Sequence, residues 1–115
     1  MKLYSYPRCS TCRKAVGWLQ AHGLAVEPID ITLQPPNREE LALALAQLGR
    51  KRLFNTSGAS YRALGAEAVQ AMDDEQALAA LAADGKLIRR PFLVSDGGRV
   101  LSGFRPEEWH QLLLS

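Results

Sequence analysis

Apolar positions along this chain recur in two periods, and the switches between them mark the elements. Residues 2–6 form a short run containing two tyrosines and closed by Pro7, the pattern of a strand. Beyond it Cys12, Ala15, Val16 and Leu19 fall at i, i+3, i+4 and i+7. That spacing makes one face of a helix, which Gly23 can close. Val26, Ile29 and Ile31 predict a second strand over 25–31, with Pro28 restricting it to an edge. The opening therefore reads β-α-β, a crossover long enough to join parallel strands in the right-handed sense.

Pro35 and Pro36 break the chain. Asn37 with Glu40 then makes a capping pair for a helix using Leu41, Ala44, Leu45 and Leu48 and ending at Gly49. "GRKR" at 49–52 reads as a short basic loop, and "NTSGAS" at 55–60 as a polar turn. A short helix is expected over 66–71 and a longer one from about Asp74 through Leu81 to Gly85. The last third returns to strands, 91–95 and 99–102 around a DGG turn at 96–98. Pro106, Glu107 and Glu108 then open a helix whose apolar face is Trp109, Leu112 and Leu113. The fold class is α/β: a four-stranded mixed sheet of β-α-β and β-β-α halves, helices on both faces, and a helical insertion at about 37–85.

Size and charge narrow the function classes. At 115 residues, the chain is expected to form a single domain, 1–115. Fourteen Lys and Arg against twelve Asp and Glu leave a net charge of +2, too balanced for a general electrostatic hold on nucleic acid. The start carries no apolar leader, and no apolar run reaches the roughly 20 residues that cross a bilayer. The expectation is a cytoplasmic protein without direct nucleic-acid or membrane binding.

The only two cysteines, Cys9 and Cys12, stand in "YPRCSTCRK" where the strand hands over to the helix. In a reducing compartment a permanent bridge between them would constrain little, because the loop it closes is tiny. With Ser10 or Cys9 at the helix cap, both sulfurs lie near backbone N–H groups that lack a partner within the helix. Together with Arg8 and Arg13, such a terminus stabilises a thiolate. Cys9, ahead of the helix, would be the attacking sulfur and Cys12 the resolving one. A zinc site needs four ligands, and His22 and His110 show no motif spacing. Simple packing of two free cysteines remains an alternative.

Four blocks carry a family resemblance: "YPRCSTCRKA", "FNTSGASYRALG", "GKLIRRPFLV" and "LSGFRPEEW". In this order and spacing the chain resembles the thioredoxin-fold family that includes glutaredoxin-linked arsenate reductases of the ArsC type and redox regulators of the Spx/MgsR type. The resemblance implies a thioredoxin-like fold with Pro91 as a cis-proline facing the active cysteine. It also implies an oxyanion held by arginines at Arg62, Arg90 and Arg105, with Arg89 and Arg13 in support. A guanidinium stays charged and offers a donor fork to tetrahedral oxyanions. Two positions depart from the arsenate-reductase pattern: Ser5 stands where those enzymes carry histidine, and Cys12 where they often carry serine.

Two functions follow as expectations. One is an arsenate-reductase-like thiol–disulfide oxidoreductase with no bound metal or organic cofactor, acting on a small oxyanion or thiol/disulfide substrate and restored by glutathione, glutaredoxin or thioredoxin. The other is an Spx-like redox-sensing regulator that docks on RNA polymerase, through Gly49–Arg52 and the central helices. The three arginines at family positions favour the catalyst.

Overall fold

A computed structural model describes residues 1–115. Strands β1 (Lys2–Ser5), β2 (Ile29–Asp30), β3 (Phe92–Val94) and β4 (Val100–Ser102) form one mixed sheet in the order β2-β1-β3-β4. β1 runs parallel to β2, with Tyr4 opposite Ile29 and Ser5 opposite Asp30, and antiparallel to β3, with Leu3 opposite Leu93. β3 and β4 make the hairpin, closed by Ser95 N–H donating to the Arg99 carbonyl and by Gly98 at φ 81°. Helix α1 (Ser10–Ala21) is the crossover between β1 and β2. Helices α2 (Arg38–Leu48), α3 (Arg50–Leu53), α4 (Ala59–Leu64), α5 (Ala66–Ala71) and α6 (Asp74–Ala83) fill the middle, and α7 (Pro106–Leu114) closes the chain.

Alternation along the strands separates two cores, because successive side chains point to opposite faces. On one face Leu3 and Leu93 meet Ala15 and Leu19 of α1 and Trp109 of α7, all buried. On the other Tyr4, Phe92 and Val100 meet Leu41 and Ala44 of α2 and Leu78 and Leu81 of α6. Trp109 also donates its indole N–H to the Gly103 carbonyl, 3.1 Å, which ties α7 to the end of β4. The Asn37–Glu40 pair forms a full capping box at the start of α2. The other carboxylate bonds of Glu40, from the Tyr4 hydroxyl and the Lys2 ammonium, fasten that helix to β1. The α/β architecture, the four-stranded mixed sheet and the two covered faces match the expectation.

Three local expectations need correction. The second strand is two residues rather than seven, because Pro28 has no N–H to donate and only Ile29 and Asp30 pair in register with β1, with Ile31 N–H adding a last bond to the Ser5 carbonyl at 2.9 Å. "GRKR" is not a loop: residues 50–53 close a helical turn, with Leu53 N–H bonded to the Gly49 carbonyl at 3.2 Å. The polar turn ends earlier than 60, since Ala59 and Ser60 already belong to α4, a helix its short polar sequence does not announce. No helix is long and apolar enough to cross a membrane.

Candidate functional site

β1 delivers the chain to a tight turn in which Cys9 N–H donates to the Tyr6 carbonyl, 3.0 Å. Cys9 then takes an extended conformation, φ −92° and ψ 114°, and serves as the N-cap of α1. Where serine or aspartate would offer oxygen, its Sγ accepts the Cys12 backbone N–H at 3.2 Å. Both cysteines are free thiols; Cys9 is half-buried and Cys12 is 1 % exposed. Burial, reinforced by a hydrogen bond to Cys9, pushes the Cys12 thiol up to about 11, and hydrogen bonds from the Tyr6 backbone and the Ser5 side chain offset this only in part. One sulfur is thus reachable and polarised by a helix terminus, while the other is screened behind it.

Arg13, one helical turn after Cys9, donates from Nη1 to the Pro7 carbonyl at 2.9 Å and pins the turn. Arg8 is exposed. The Arg90–Pro91 peptide is cis, and the Arg90 guanidinium lies 5.3 Å above the centre of the Tyr6 ring, next to the cysteine turn.

Beside Thr11, which stands between the two cysteines, a cavity of about 230 Å³ is lined by Arg52, Arg89, Arg90 and Arg105. Arg52 is committed: its guanidinium holds Glu108 at 2.6 and 3.2 Å and the Ser102 carbonyl at 3.0 Å. That guanidinium holds the Glu108 carboxyl below the usual carboxylate range. Arg89 reaches the Lys51 and Phe54 carbonyls only at 3.5 Å, and its buried Nε has no partner. The chain passes close over it at Gly103, where φ is +81° and a Cβ would meet Arg89 Cδ at 3.2 Å. Arg105 is the exposed N-cap of α7. Glu108 answers one of the four cations. The remaining guanidinium groups make a local positive field fit for an oxyanion or carboxylate.

Of the residues singled out from sequence, Cys9, Cys12, Arg13, Arg90, Pro91 and Arg105 gather at this end of the sheet, with Arg89. Arg62 lies apart on α4, exposed, with Nη1 donating to the Ser57 carbonyl at 2.7 Å; it does not line the arginine cavity. Arg52 was missed as a cavity residue. Four residues of "GRKR" carry no periodicity, and its partner Glu108 is 56 positions away. His22 and His110 are both exposed, and His22 follows the far end of α1, about 18 Å along the axis from the cysteines.

A sequence model described as the ArsC family matches residues 4–112. Among curated relatives, the uncharacterised protein YusI of Bacillus subtilis is 42 % identical over 114 residues, covering 96 % of each chain. The regulatory protein MgsR of the same organism is 33 % identical over 110 residues, covering 94 % of this chain and 86 % of its own length. Among solved structures, a possible arsenate reductase from Streptococcus mutans superposes with a TM-score of 0.82 at 40 % identity, covering 93 % of this chain and 94 % of that one.

Proposed function

The chain belongs to the ArsC family, and from that premise we propose that it is a thiol–disulfide oxidoreductase with Cys9 as nucleophile and Cys12 as resolving thiol. The observation that carries this reading is the asymmetry of the pair. Cys9 Sγ is reachable and accepts an amide of the helix terminus, whereas Cys12 is buried with its thiol held protonated. A sulfur placed so is the one that an oxidised substrate can reach.

In the proposed cycle the Cys9 thiolate attacks one sulfur of an oxidised substrate, forming a mixed disulfide and releasing the other substrate half as a thiolate. Cys12 then loses its proton to solvent and attacks Cys9 Sγ. The Cys9–Cys12 disulfide forms, the second substrate half leaves as a thiol, and the substrate has gained two electrons. Glutathione, glutaredoxin or thioredoxin returns those electrons. Arg89, Arg90 and Arg105 bind an anionic group of the substrate next to Thr11, whether a carboxylate or an oxyanion such as arsenate. Arg52 acts as a positioning residue, since its bonds to Ser102 and Glu108 hold one wall of that cavity.

The deciding experiment is mass spectrometry of Cys9→Ser and Cys12→Ser after treatment with oxidised glutathione. Cys12→Ser should accumulate a mixed disulfide on Cys9, and Cys9→Ser should remain unmodified at neutral pH. Equal protection of the two variants would remove the assignment.

A second reading, a redox-controlled regulator docking on RNA polymerase, is favoured by the kinship with MgsR. Its suggested docking segment is largely occupied within the chain: Arg50 bonds Asp74 and Arg52 bonds Glu108, leaving Lys51 exposed. A turnover assay with glutathione and glutaredoxin against arsenate, run beside a polymerase pull-down, separates catalyst from regulator.

A further inference from the structure

Cys12 poses a chemical difficulty: the thiol that must give up a proton before it can attack is 1 % exposed. Its surroundings offer one hydroxyl. Leu3 on β1 packs against Ala15 and Leu19 of α1, and Ser5, two residues further along the strand, points to the same face. Those two residues advance about 7 Å, and the three from Ala15 back to Cys12 about 4.5 Å. Both steps run the same way, because the crossover helix returns along the strand. The register brings Ser5 under Cys12, and the Ser5 hydroxyl hydrogen-bonds to the Cys12 sulfur.

Three polar side chains are buried in the chain: Ser5, Glu40 and Ser102. Glu40 accepts from the Tyr4 hydroxyl at 2.8 Å and the Asn37 amide at 3.0 Å, and Ser102 donates to the Arg89 carbonyl at 2.7 Å. The Ser5 hydroxyl is given to sulfur instead.

Ser5 also borders solvent. With Tyr6, Arg13, Gly17 and Asp30 it lines a cavity of about 390 Å³ between α1 and β2, where Arg13, Gly17 and Gln20 are exposed. Cys12 does not line that cavity, so Ser5 stands between the screened sulfur and the solvent. The titratable and charged groups around the pair are Cys9 and Arg13 on the side of α1, Asp30 on β2 and, beyond Thr11, the arginines of the smaller cavity. Of these only Cys9 bears on the Cys12 thiol, which it pushes up, while the Ser5 bond pulls it down. A hydroxyl that donates to sulfur favours the anion.

We propose that Ser5 is the positioning residue of the resolving step, its hydroxyl carrying the Cys12 proton to the solvent of this cavity and then holding the thiolate. The proposal rests on the thiol–disulfide reading and adds how the buried sulfur is activated. In the mixed disulfide the Cys12 S–H proton passes to the Ser5 oxygen as the Ser5 hydroxyl proton passes to solvent. The hydrogen now on Ser5 stays aimed at the sulfur. The Cys12 thiolate attacks Cys9 Sγ, the bond from Cys9 to the substrate half breaks, and that half leaves as a thiolate and takes a proton from solvent. Cys12 is oxidised and the departing half is reduced.

The test mixes the reduced full chain with a symmetric aromatic disulfide, each half of which absorbs when released. Attack by Cys9 releases the first half and closure by Cys12 the second. In Ser5→Ala at pH 7 the second phase should slow at least threefold, because scarcer thiolate outweighs the greater nucleophilicity of a less acidic sulfur. The first phase should change less than twofold. Ser5→Thr and Ser5→Val share one shape and differ in the hydroxyl, so Thr should keep the second phase within twofold of wild type and Val should match Ala. Gly17→Leu, which fills the cavity, should slow the second phase alone. In a Cys9→Ser background the pH midpoint of the Cys12 Cβ chemical shift should rise on Ser5→Ala. Equal slowing of both phases, equal rates for Thr and Val, or an unmoved midpoint overturns the role of Ser5, and a wild-type second phase in Gly17→Leu overturns the proton route. Release of only one half by the wild type overturns the thiol–disulfide reading instead, and the midpoint then still decides whether Ser5 acts on Cys12.

Discussion

The backbone amide of Cys12 points at the sulfur of Cys9, 3.2 Å away, so the residue proposed to resolve a mixed disulfide also supplies a bond to the proposed nucleophile. The relationship is one-sided. The Cys12 amide helps Cys9, while the Cys12 side chain is turned into the protein, where burial keeps its own thiol neutral.

A pH dependence of stability follows from that burial. The folded-state Cys12 thiol titrates at about 11, above the roughly 8.5 of an unfolded cysteine. Between these values the native state holds a proton that the unfolded state has lost. Stability is therefore full below about pH 8.5 and declines as pH rises toward 11, by at most about 1.4 kcal/mol per pH unit. Urea denaturation at pH 8, 9.5 and 10.5 should show the decline in the reduced wild type and a shallower one in Cys12→Ala.

Alkylation should discriminate the two sulfurs. With iodoacetamide at pH 7.5 the folded protein should take one label, on Cys9, and a second only after denaturation, because Cys12 is both inaccessible and protonated. Peptide mapping reads the result. Closure of the Cys9–Cys12 bridge from a mixed disulfide should quicken as pH rises toward 11, since the attacking species is the Cys12 thiolate.

The Arg52–Glu108 pair is expected to support the cavity more than the overall fold. Arg52→Ala or Glu108→Gln should cost about 1 kcal/mol at pH 7, the scale of a partly screened, charge-assisted hydrogen bond. Glu108 has a depressed folded-state pKa, so its contribution is present above its unfolded pKa of about 4.5 and is lost as pH falls through the folded value. Glu108→Gln should therefore flatten the acid limb of a denaturation series, and a wild-type slope would deny the pair its role.

Anion binding should sort the arginines by position. Arg90→Ala and Arg105→Ala should each weaken sulfate or arsenate binding about tenfold, the effect of roughly 1.4 kcal/mol for one lost charged contact. Arg62→Ala, on its separate helix, should change it less than twofold. Calorimetric titration decides between them, and a large loss at Arg62 would move the anion site toward α4.

Gly85 offers a packing test remote from the cysteines. A Cβ there would lie 2.0 Å from the Ile31 carbonyl oxygen, against backbone that cannot swing aside. Gly85→Ala should destabilise the protein by about 1–3 kcal/mol and loosen the segment that follows β2, visible as faster amide exchange at Ile31.

Much of this was written locally and could be read locally. The strand–CxxC–helix junction, the Asn37–Glu40 box, the hairpin at 91–102 and the Pro106 helix start depend on neighbours within a few positions, so their signatures survive in one dimension. The two-residue length of β2 was less legible, since Val26 offers a strand-like side chain while Pro28 withholds the N–H that pairing needs.

By itself the sequence determined the α/β order and the place of Cys9 and Cys12 where the first strand hands over to the first helix. Tertiary structure alone decided which arginines meet and which sulfur is screened. Arg52 finds Glu108 across 56 positions, Arg89 is folded under Gly103, Arg62 is carried off on α4, and Cys12 is buried beside Ser5. Those outcomes depend on how the helices dock on two faces of a sheet, and docking is settled by the summed burial of residues far apart in the chain, which no local pattern encodes.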